Sequence, residues 1–543
     1  MVLYFHTYSH GAVILIAALV LSALELFAAF SNGAYFMGSM TICIVGAWSL
    51  LAFITLVSFK SGTVASSPGS DALPASAASS SGSEAAPSGS ISSLIFKPLT
   101  APGIAPVALF FILWLWTGLS ILWSIAGSET WREFNRTGGY LALLLIGLFI
   151  GTDSRLRKII PWLFAGAATI AAIYGLGPRI FPSVINNIED LGRIAVPVGY
   201  TNAQGILMSM FIPVTLYFSS ASKENRFLRL LSAAAAQFLF LCLFFTVSRG
   251  ATYTLIVGLL VYFILVPLRL RSFTTLLLVL MPVVAIGWWS NGQAALMQDQ
   301  MPMEMRLAAA AGLRAFILLG LAFTVMLFTA MLLLEEKIPF SQRTKKMTGA
   351  VLLALIVLSS VAGVSYFISS KESFSEWSSQ KFDDFTSERS EGEGTERLLS
   401  TSSAGRWQLW QEAIKNWQEH KVAGTGAQSF PLTHLMKREE GTPFVKQPHG
   451  LPFRLLSELG LVGLLLMGAF VSITMVFNLS KFFTIKDRWE RGLAGALLTV
   501  TIIYLIHASF DWDWNMMVLT MPYFLFTGIL LGWGREQAQG RDI

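Results

Sequence analysis

The sequence Gln447-Pro448-His449-Gly450 places one histidine where a mostly polar stretch, from about Ser369 to Gly450, meets an apolar run. The flanking proline and glycine predict a bent backbone at this junction. An imidazole titrates near neutral pH, so it can take up or release a proton at a membrane surface. We therefore expect His449 to be catalytic or ligand-binding, and the alternative is a histidine that ends a helix at the interface.

Three arginines form the second group of candidate residues. Arg249 lies just beyond the apolar run 238–247, and Arg193 precedes another apolar run. Basic residues are disfavoured on the outer side of a membrane protein, so these two predict an anionic ligand such as a diphosphate. Arg406 begins a segment with helical spacing, where the helix dipole disfavours a cation, which indicates an anion or a carboxylate partner. For Arg193 the alternative is a side chain that faces solvent.

Polar residues near these positions are possible substrate contacts. Tyr200 and Asn202 open an apolar run, and Asp511 and Asp513 lie close to His507 between two further runs. Two carboxylates can act in acid–base chemistry, but the tryptophans that alternate with them are typical of an interfacial belt. A structural role is the favoured interpretation of the acid pair, and Tyr200, Asn202 and Asp511 are kept as possible substrate-binding residues.

Long apolar runs must position these residues. The 543-residue chain is 54% hydrophobic and only 13% charged, about half the charged fraction of a soluble protein. Runs of about 17 to 25 apolar residues recur, each long enough to cross the hydrocarbon core of a membrane. We predict an all-α, polytopic bundle of about fourteen transmembrane helices. Cys43 and Cys242 fall within the runs, which favours packed free thiols over disulfides or metal ligands.

Basic residues between the runs predict the orientation of the bundle. With a cytoplasmic N-terminus, all the basic clusters fall on the inner side, as the positive-inside rule requires. The clusters are Arg155/Arg157/Lys158, Lys223/Arg226/Arg229, Arg269/Arg271, Lys337/Arg343/Lys345/Lys346 and Lys481/Lys486/Arg488/Arg491. Because these residues are scattered through short loops and form no stripe with aromatic residues, the net charge of +6 does not indicate a nucleic-acid partner.

Changes in composition divide the chain into segments. A Ser-, Ala-, Pro- and Gly-rich stretch has too few apolar residues to fold and predicts a disordered cytoplasmic linker. It separates an accessory hairpin from the rest of the bundle. The predicted segments are residues 1–60 (two-span hairpin), 61–96 (linker), 97–368 and 451–534 (transmembrane core), 369–450 (extracytoplasmic loop between the eleventh and twelfth spans) and 535–543 (cytoplasmic tail).

The long extracytoplasmic loop has two different halves. Its first half, Lys371 to Ser403, is acidic and poor in apolar residues, and we expect it to be mobile. Its second half carries apolar residues at helical spacing between Arg406 and Trp417. This pattern predicts an amphipathic helix that lies on the membrane or on the bundle.

Several classes of function lack support in the sequence. There is no phosphate-binding Gly-x-x-x-x-Gly-Lys-Ser/Thr loop, no His-Glu-x-x-His and no Gly-x-Ser-x-Gly, so ATP-driven pumping and zinc proteolysis are not indicated. A transporter or flippase of lipid-linked glycans would place polar residues near the membrane midplane. Here the ionisable groups gather at one face, which counts against it. A non-catalytic scaffold for envelope assembly is a third alternative.

Four short motifs, taken in order around the long loop, resemble the superfamily of O-antigen ligases and polymerases. They are Tyr200-Thr201-Asn202, Ser248-Arg249-Gly250, Gly405-Arg406-Trp407 with Gly424-Thr425-Gly426, and His449 followed by Leu456-Ser457-Glu458-Leu459-Gly460-Leu461-Val462-Gly463. The similarity extends from about Ala101 to the C-terminus. The chain departs from the family at Gly450 and Gln204, where members often have asparagine.

The resemblance implies a membrane glycosyltransferase of the GT-C type in bacterial cell-envelope polysaccharide biosynthesis. Such an enzyme moves a glycan from a polyprenyl (undecaprenyl) diphosphate carrier to a hydroxyl of a glycan, lipid or protein acceptor at the outer face of the cytoplasmic membrane. Its chemistry is metal-independent and inverting, without a cofactor. The resemblance assigns His449 as general base or acceptor-positioning group and Arg193 and Arg249 as diphosphate binders. Arg406 matches a motif residue with no assigned role, and a polymerase of the same superfamily fits equally well.

Overall fold

A computed structural model gives the fold of the chain. It describes residues 2–63, 101–185, 192–298, 301–337, 374–386, 402–438 and 443–533, together with separate positions between 347 and 369 and at 398 and 400. The regular secondary structure of these described residues is helical throughout, without a strand. The prediction of an all-α membrane bundle is thereby confirmed.

Sixteen described helices are eight residues or longer. They are α1 (Val2–Phe30), α2 (Met37–Thr63), α3 (Ala101–Leu119), α4 (Gly127–Thr152), α5 (Ser154–Gly175), α6 (Thr201–Ser220), α7 (Arg226–Thr246), α8 (Arg249–Leu265), α9 (Arg269–Asn291), α10 (Met303–Lys337), α11 (Phe374–Thr386), α12 (Arg406–Glu419), α13 (Phe430–Lys437), α14 (Leu451–Thr484), α15 (Arg488–Ala508) and α16 (Met517–Gly532).

Eleven of the described helices are long and apolar enough to cross a membrane, and α8 and α16 are apolar but shorter. The protein is therefore a multi-pass membrane protein. The predicted eleventh span falls between residues 347 and 369, where the structure describes only separate positions, and so it lies largely outside the described residues. Residues 64–96 of the predicted linker and the tail at 535–543 lie outside the described residues.

The last helix packs against α4 through glycines on both sides. Gly147 and Gly151 of α4 face Gly528 and Gly532 of α16, and a Cβ atom on Gly147 would overlap the carbonyl oxygen of Leu525. Small residues four positions apart allow helix backbones to approach closely within a membrane. This contact fixes α16 and therefore fixes the short segment that enters it.

Part of the first half of the long loop, residues 374–386, is more regular than its composition predicts. The expectation of a mobile segment is wrong for residues 374–386, which form α11. Aromatic residues explain the difference, because Phe382 and Phe385 pack on Trp407 at ring-centroid distances of 5.6 and 6.2 Å. The low overall apolar content concealed one apolar face of a helix.

The predicted amphipathic helix of the second half is α12, and it rests on the bundle. Ala413 is buried, and the Trp410 ring stacks on Phe453 of α14 with centroids 4.8 Å apart. Of the two predicted locations, the bundle surface is therefore the observed one. Helix α12 is held above the start of α14, next to the histidine of the sequence motif.

The Gly424-Thr425-Gly426 motif of the loop pairs with the backbone of α14 where that helix is interrupted. Gly460 has φ +66° within α14, which interrupts the helix and exposes backbone groups. Thr425 N donates to the carbonyl of Ser457 at 3.2 Å, and Gly426 N donates to that of Glu458 at 2.8 Å. A Cβ atom on either loop glycine or on Gly460 would overlap neighbouring backbone or side-chain atoms. These glycines thus serve a close backbone contact that anchors the loop.

A buried ionic group reinforces this anchor, and we call it the Arg454 cluster. Its members are Glu133, Arg136, Gln428, Arg454, Glu458, Trp514 and Asn515. Arg454 lies 2.9 Å from Glu133 and 3.0 Å from Glu458, and it donates to Gln428 at 2.8 Å. Two arginines and two glutamates balance each other, which is the condition for burying charge. The cluster links α4, α14, the loop and the segment before α16.

Candidate functional site

Asp511 is the centre of a second polar group, which we call the Asp511 cluster. The buried carboxylate lies in the segment between α15 and α16. Its Oδ2 atom is 2.9 Å from Arg406 Nη2 and accepts from Asn202 Nδ2 at 2.9 Å, while the Tyr200 hydroxyl donates at 3.2 Å. The Trp512 backbone N–H donates to Oδ1 at 2.8 Å. The carboxylate partner expected for Arg406 is therefore Asp511.

His449 joins the cluster at the other carboxylate oxygen. Its Nδ1 atom is 3.3 Å from Asp511 Oδ1, and about a fifth of the side chain, 21%, is exposed. The backbone has φ +52° at His449 and +153° at Gly450, which is the bend that the sequence predicts. Trp410 Nε1 donates to the His449 carbonyl at 2.6 Å and holds the bend in place. The turn thus directs the imidazole to Asp511.

Arg193 approaches the cluster from a loop that folds over the end of α7. Its Nε atom donates to the Thr246 carbonyl at 2.9 Å, and Nη2 donates to Asn202 Oδ1 at 2.9 Å. Ser248 donates to the same amide oxygen at 3.0 Å and caps α8 by accepting from the Ala251 N–H. The amide of Asn202 therefore connects Arg193 to Asp511.

Arg249 begins α8 and reaches towards the returning part of the long loop. Its guanidinium donates to the carbonyls of Ser400 and Ser402, the latter at 3.2 Å. The Tyr253 hydroxyl, one turn further along α8, donates to the Leu398 carbonyl at 2.6 Å. These contacts place the loop segment beside the start of α8 and leave the arginine at the edge of a cavity.

One cavity of about 540 Å³ joins these groups. It is lined by Arg193, Asn202, Arg249, Gly250, Tyr253, Ser378, Lys381, Phe382, Phe385, Ser400, Ser402, Ser403, Arg406, Trp410, Phe510 and Asp511. Four lining side chains are cationic, and Asp511 is the one carboxylate among them. His449 is not a lining residue, but it contacts Asp511 and Trp410, which are. The volume lies within the range of small-molecule sites, and the excess of cations favours an anionic ligand.

Four helices begin at this cluster. Helices α6 and α14 begin at Thr201 and Leu451, next to Asn202 and His449, and α12 begins at Arg406 itself. Helix α8 begins at Arg249, directly after Ser248, which donates to Asn202. The N-terminus of a helix carries partial positive charge and unpaired N–H groups. The backbone therefore adds to the positive potential of the arginines.

The charge of Asp511 is stabilised by its neighbours. Burial alone would raise the pKa of this carboxyl, but Arg406 and then His449 outweigh burial and hold the pKa well below its usual range. Burial and the nearby Asp511 charge raise the pKa of the Tyr200 hydroxyl, which stays a hydrogen-bond donor. The carboxylate is thus ionised and offers a fixed negative charge to the imidazole.

The two aspartates of the predicted acid pair, Asp511 and Asp513, have different partners. Asp513 Oδ2 lies 2.6 Å from His507 Nδ1, and both side chains are buried. Burial raises the pKa of Asp513 although His507 opposes it, and the negative charge of Asp511 adds to the rise. Asp513 does not line the cavity, whereas Asp511 does. The favoured structural interpretation fits Asp513, and Asp511 belongs to the candidate site.

The N-terminal hairpin also reaches the site. Tyr35, in the turn between α1 and α2, packs edge-on against Trp512 with centroids 5.2 Å apart, and Trp512 contacts Tyr200 at 4.7 Å. Gly199 has φ +80°, and a Cβ atom there would overlap Asn32 of the same turn. The turn therefore supports the residues on both sides of Asp511, a contact that the interpretation as an accessory hairpin did not include.

The structure brings together all seven residues singled out in the sequence: Arg193, Tyr200, Asn202, Arg249, Arg406, His449 and Asp511. Sequence reasoning missed Lys381, Phe382, Phe385 and Tyr253, which also line the cavity. The spacing of Ser378, Lys381, Phe382 and Phe385 on one helical face was the available signal. Among the described residues, no three His, Cys, Asp or Glu side chains are grouped to hold a metal ion.

Part of the chain is similar to a known protein family. Residues 305–468 match the family model described as O-antigen ligase, and no curated protein matches the chain. The matched part holds Arg406 and His449, whereas Arg193, Arg249 and Asp511 lie outside it. The predicted resemblance to the O-antigen ligase and polymerase superfamily is thereby confirmed for residues 305–468 of this multi-pass membrane protein, which are similar to that family.

Proposed function

We propose that the protein transfers a glycan from a polyprenyl diphosphate carrier to an acceptor hydroxyl at the outer face of the bacterial cytoplasmic membrane. The observation that carries this proposal is the cavity of about 540 Å³, in which three arginines meet the carboxylate that contacts His449. The basic clusters between the spans support cytoplasmic termini and an outward-facing site.

The arginines hold the diphosphate. Cleavage of the bond between the anomeric carbon and the diphosphate oxygen leaves negative charge on the departing lipid diphosphate. Arg193 and Arg249 enter the same cavity from different elements and donate from planar guanidinium groups suited to phosphate oxygens. Fixed cations at the leaving group stabilise the transition state, so the transfer proceeds without a metal ion.

His449 removes the proton of the attacking hydroxyl. With Nδ1 turned to Asp511 at 3.3 Å, Nε2 is the ring nitrogen that accepts this proton. The ionised Asp511 orients the imidazole and stabilises its charged form, as a carboxylate does in a hydrolase triad. The oxygen then bonds to the anomeric carbon from the side opposite the diphosphate, so the configuration inverts.

Arg406 has a positioning role in this scheme. Its ion pair with Asp511, at 2.9 Å, fixes the carboxylate between the guanidinium and the imidazole. Tyr200 and Asn202 hold the same carboxylate by hydrogen bonds. The acceptor hydroxyl enters beside His449, whose side chain is partly exposed.

A labelled undecaprenyl-diphosphate glycan, supplied to purified protein with EDTA present, tests the proposal. We expect label to move to an acceptor, and the molecule that gains it identifies the acceptor class. Growth of the glycan on the carrier itself would identify a polymerase of the same superfamily. Passage of the labelled carrier across a vesicle membrane without a new glycosidic bond would contradict transfer and indicate a flippase.

A further inference from the structure

The inner face of α11 carries a group of residues that the proposed chemistry does not use. Ser378, Lys381, Phe382 and Phe385 recur at helical spacing, so they share one face, and all four line the cavity. Phe382 is 55% exposed although it is a large apolar residue. A large exposed aromatic side chain at the wall of a cavity is a feature of ligand sites.

Contacts to the loop hold this face over the start of α12. Gln408 Nε2 donates to the Thr386 carbonyl at 2.8 Å, and Ser403 N donates to the Phe385 carbonyl at 3.2 Å. The Phe385 ring lies 6.0 Å from that of Trp410, another lining residue. The aromatic face is therefore placed by tertiary contacts and belongs to the same cavity as Arg249 and Arg406.

The lining of this part of the cavity matches the chemistry of a sugar ring. A pyranose presents C–H groups on its faces and hydroxyls around its edge. Phe382 and Phe385 supply aromatic surface for the faces, and Ser378, Ser402 and Ser403 supply hydroxyl groups for the edge. The arginines line the same cavity. If they hold a diphosphate, a sugar bonded to that diphosphate also lies in the cavity, next to these residues.

We infer that the inner face of α11 is a carbohydrate-binding subsite, with Phe382 as its stacking residue. The inference rests on the proposed function and extends it, because it names the residues that bind the sugar. The ring bound there belongs to the donor glycan or to a glycan acceptor. Both sources share the same chemistry, and the kinetics of the two substrates distinguish them.

Binding measurements on the full chain test the subsite independently of transfer. The probes are an undecaprenyl-diphosphate glycan, undecaprenyl diphosphate without sugar, and the free oligosaccharide. We expect Phe382→Ala to weaken binding of a sugar-bearing probe by about tenfold, and Phe382→Trp to restore it. The sugar-free carrier should bind the wild type and Phe382→Ala alike. Leu435→Ala, an exposed apolar residue of the same loop outside the cavity lining, is the matched control.

Kinetics then locate the bound sugar. A higher KM for the donor in Phe382→Ala assigns the subsite to the donor glycan, and a higher KM for a glycan acceptor assigns it to the acceptor. Unchanged binding of every sugar-bearing probe and unchanged KM values in Phe382→Ala would overturn the inference. If the wild type transfers no glycan but binds the free oligosaccharide through Phe382, the proposed function fails and the subsite stands.

Discussion

The Asp511 cluster and the Arg454 cluster contain similar side chains but differ in access. Each combines arginines and an asparagine with one or two carboxylates, near the same ends of the helices. The Asp511 cluster faces a cavity of about 540 Å³, whereas the space beside the Arg454 cluster is about 10 Å³, about enough for one water molecule. The first can admit a substrate, and the second can only stabilise the fold.

The two clusters also differ in net charge. In the Arg454 cluster, Glu133 and Glu458 match Arg136 and Arg454. In the cavity, four cationic residues accompany the single lining carboxylate, Asp511. Charged side chains that are buried away from water need partners of opposite charge within the protein. An excess of positive charge that solvent can reach is suited to binding an anionic ligand. Accessibility and net charge, more than residue type, separate a binding site from a structural anchor.

The largest expected difference between the clusters concerns catalysis. We expect His449→Ala to lower kcat by about 10²- to 10⁴-fold, the typical contribution of a general base. The thermal unfolding temperature in detergent should stay near that of the wild type, because the side chain is partly exposed. His420→Ala, which changes an exposed histidine of the same loop, should transfer normally. Normal transfer by His449→Ala would remove the general base from the scheme.

Arg454→Ala should affect stability instead. It leaves Glu133 and Glu458 buried without their shared partner, so we expect a loss of about 3–5 kcal/mol in the free energy of unfolding. Thermal unfolding and the yield of folded protein measure it. Lys223→Ala, which removes an exposed pair with Asp487, is the control and should leave the unfolding temperature nearly unchanged. Wild-type stability of Arg454→Ala would contradict an anchoring role.

Arg249→Ala should weaken transfer with little loss of stability. Removal of one charged donor to the diphosphate should lower kcat/KM by roughly 10- to 100-fold. Arg249→Lys should recover part of the loss, since lysine restores the charge but not the planar pair of donors. Arg438→Ala, an exposed arginine of the loop outside the cavity lining, serves as the control. An equal loss in Arg438→Ala would mean that the effect is not local to the cavity.

The smallest expected effects come from two matched tyrosines. Tyr200→Phe removes a hydroxyl bonded to Asp511, and Tyr140→Phe removes one bonded to the carbonyl of Trp514, a member of the Arg454 cluster. Each bond contributes about 1 kcal/mol. We expect the first change to slow transfer severalfold and the second to lower only the free energy of unfolding. Slower transfer by Tyr140→Phe together with normal transfer by Tyr200→Phe would contradict the assignment of the two clusters to stability and to transfer.

Local patterns in the sequence predicted much of the fold and part of the site. Apolar runs predicted the spans, and the unusual positions of Arg193, Arg249 and His449 marked them as candidates. The Arg454–Glu133 ion pair could not be predicted, because its members lie far apart in the chain and meet only after the helices pack. The role of Phe382 was concealed by the polar composition around it. Both depend on tertiary contacts that no short window of sequence records.

The contact between Tyr35 and Trp512 joins the N-terminal hairpin to the segment between α15 and α16. A ribosome makes the hairpin well before the Asp511 segment, since synthesis runs from the N-terminus. A nascent chain that has not reached residue 511 therefore has neither the central carboxylate nor the aromatic surface on which the turn rests. Unfinished protein consequently cannot form the complete site, however many of its helices have already entered the bilayer.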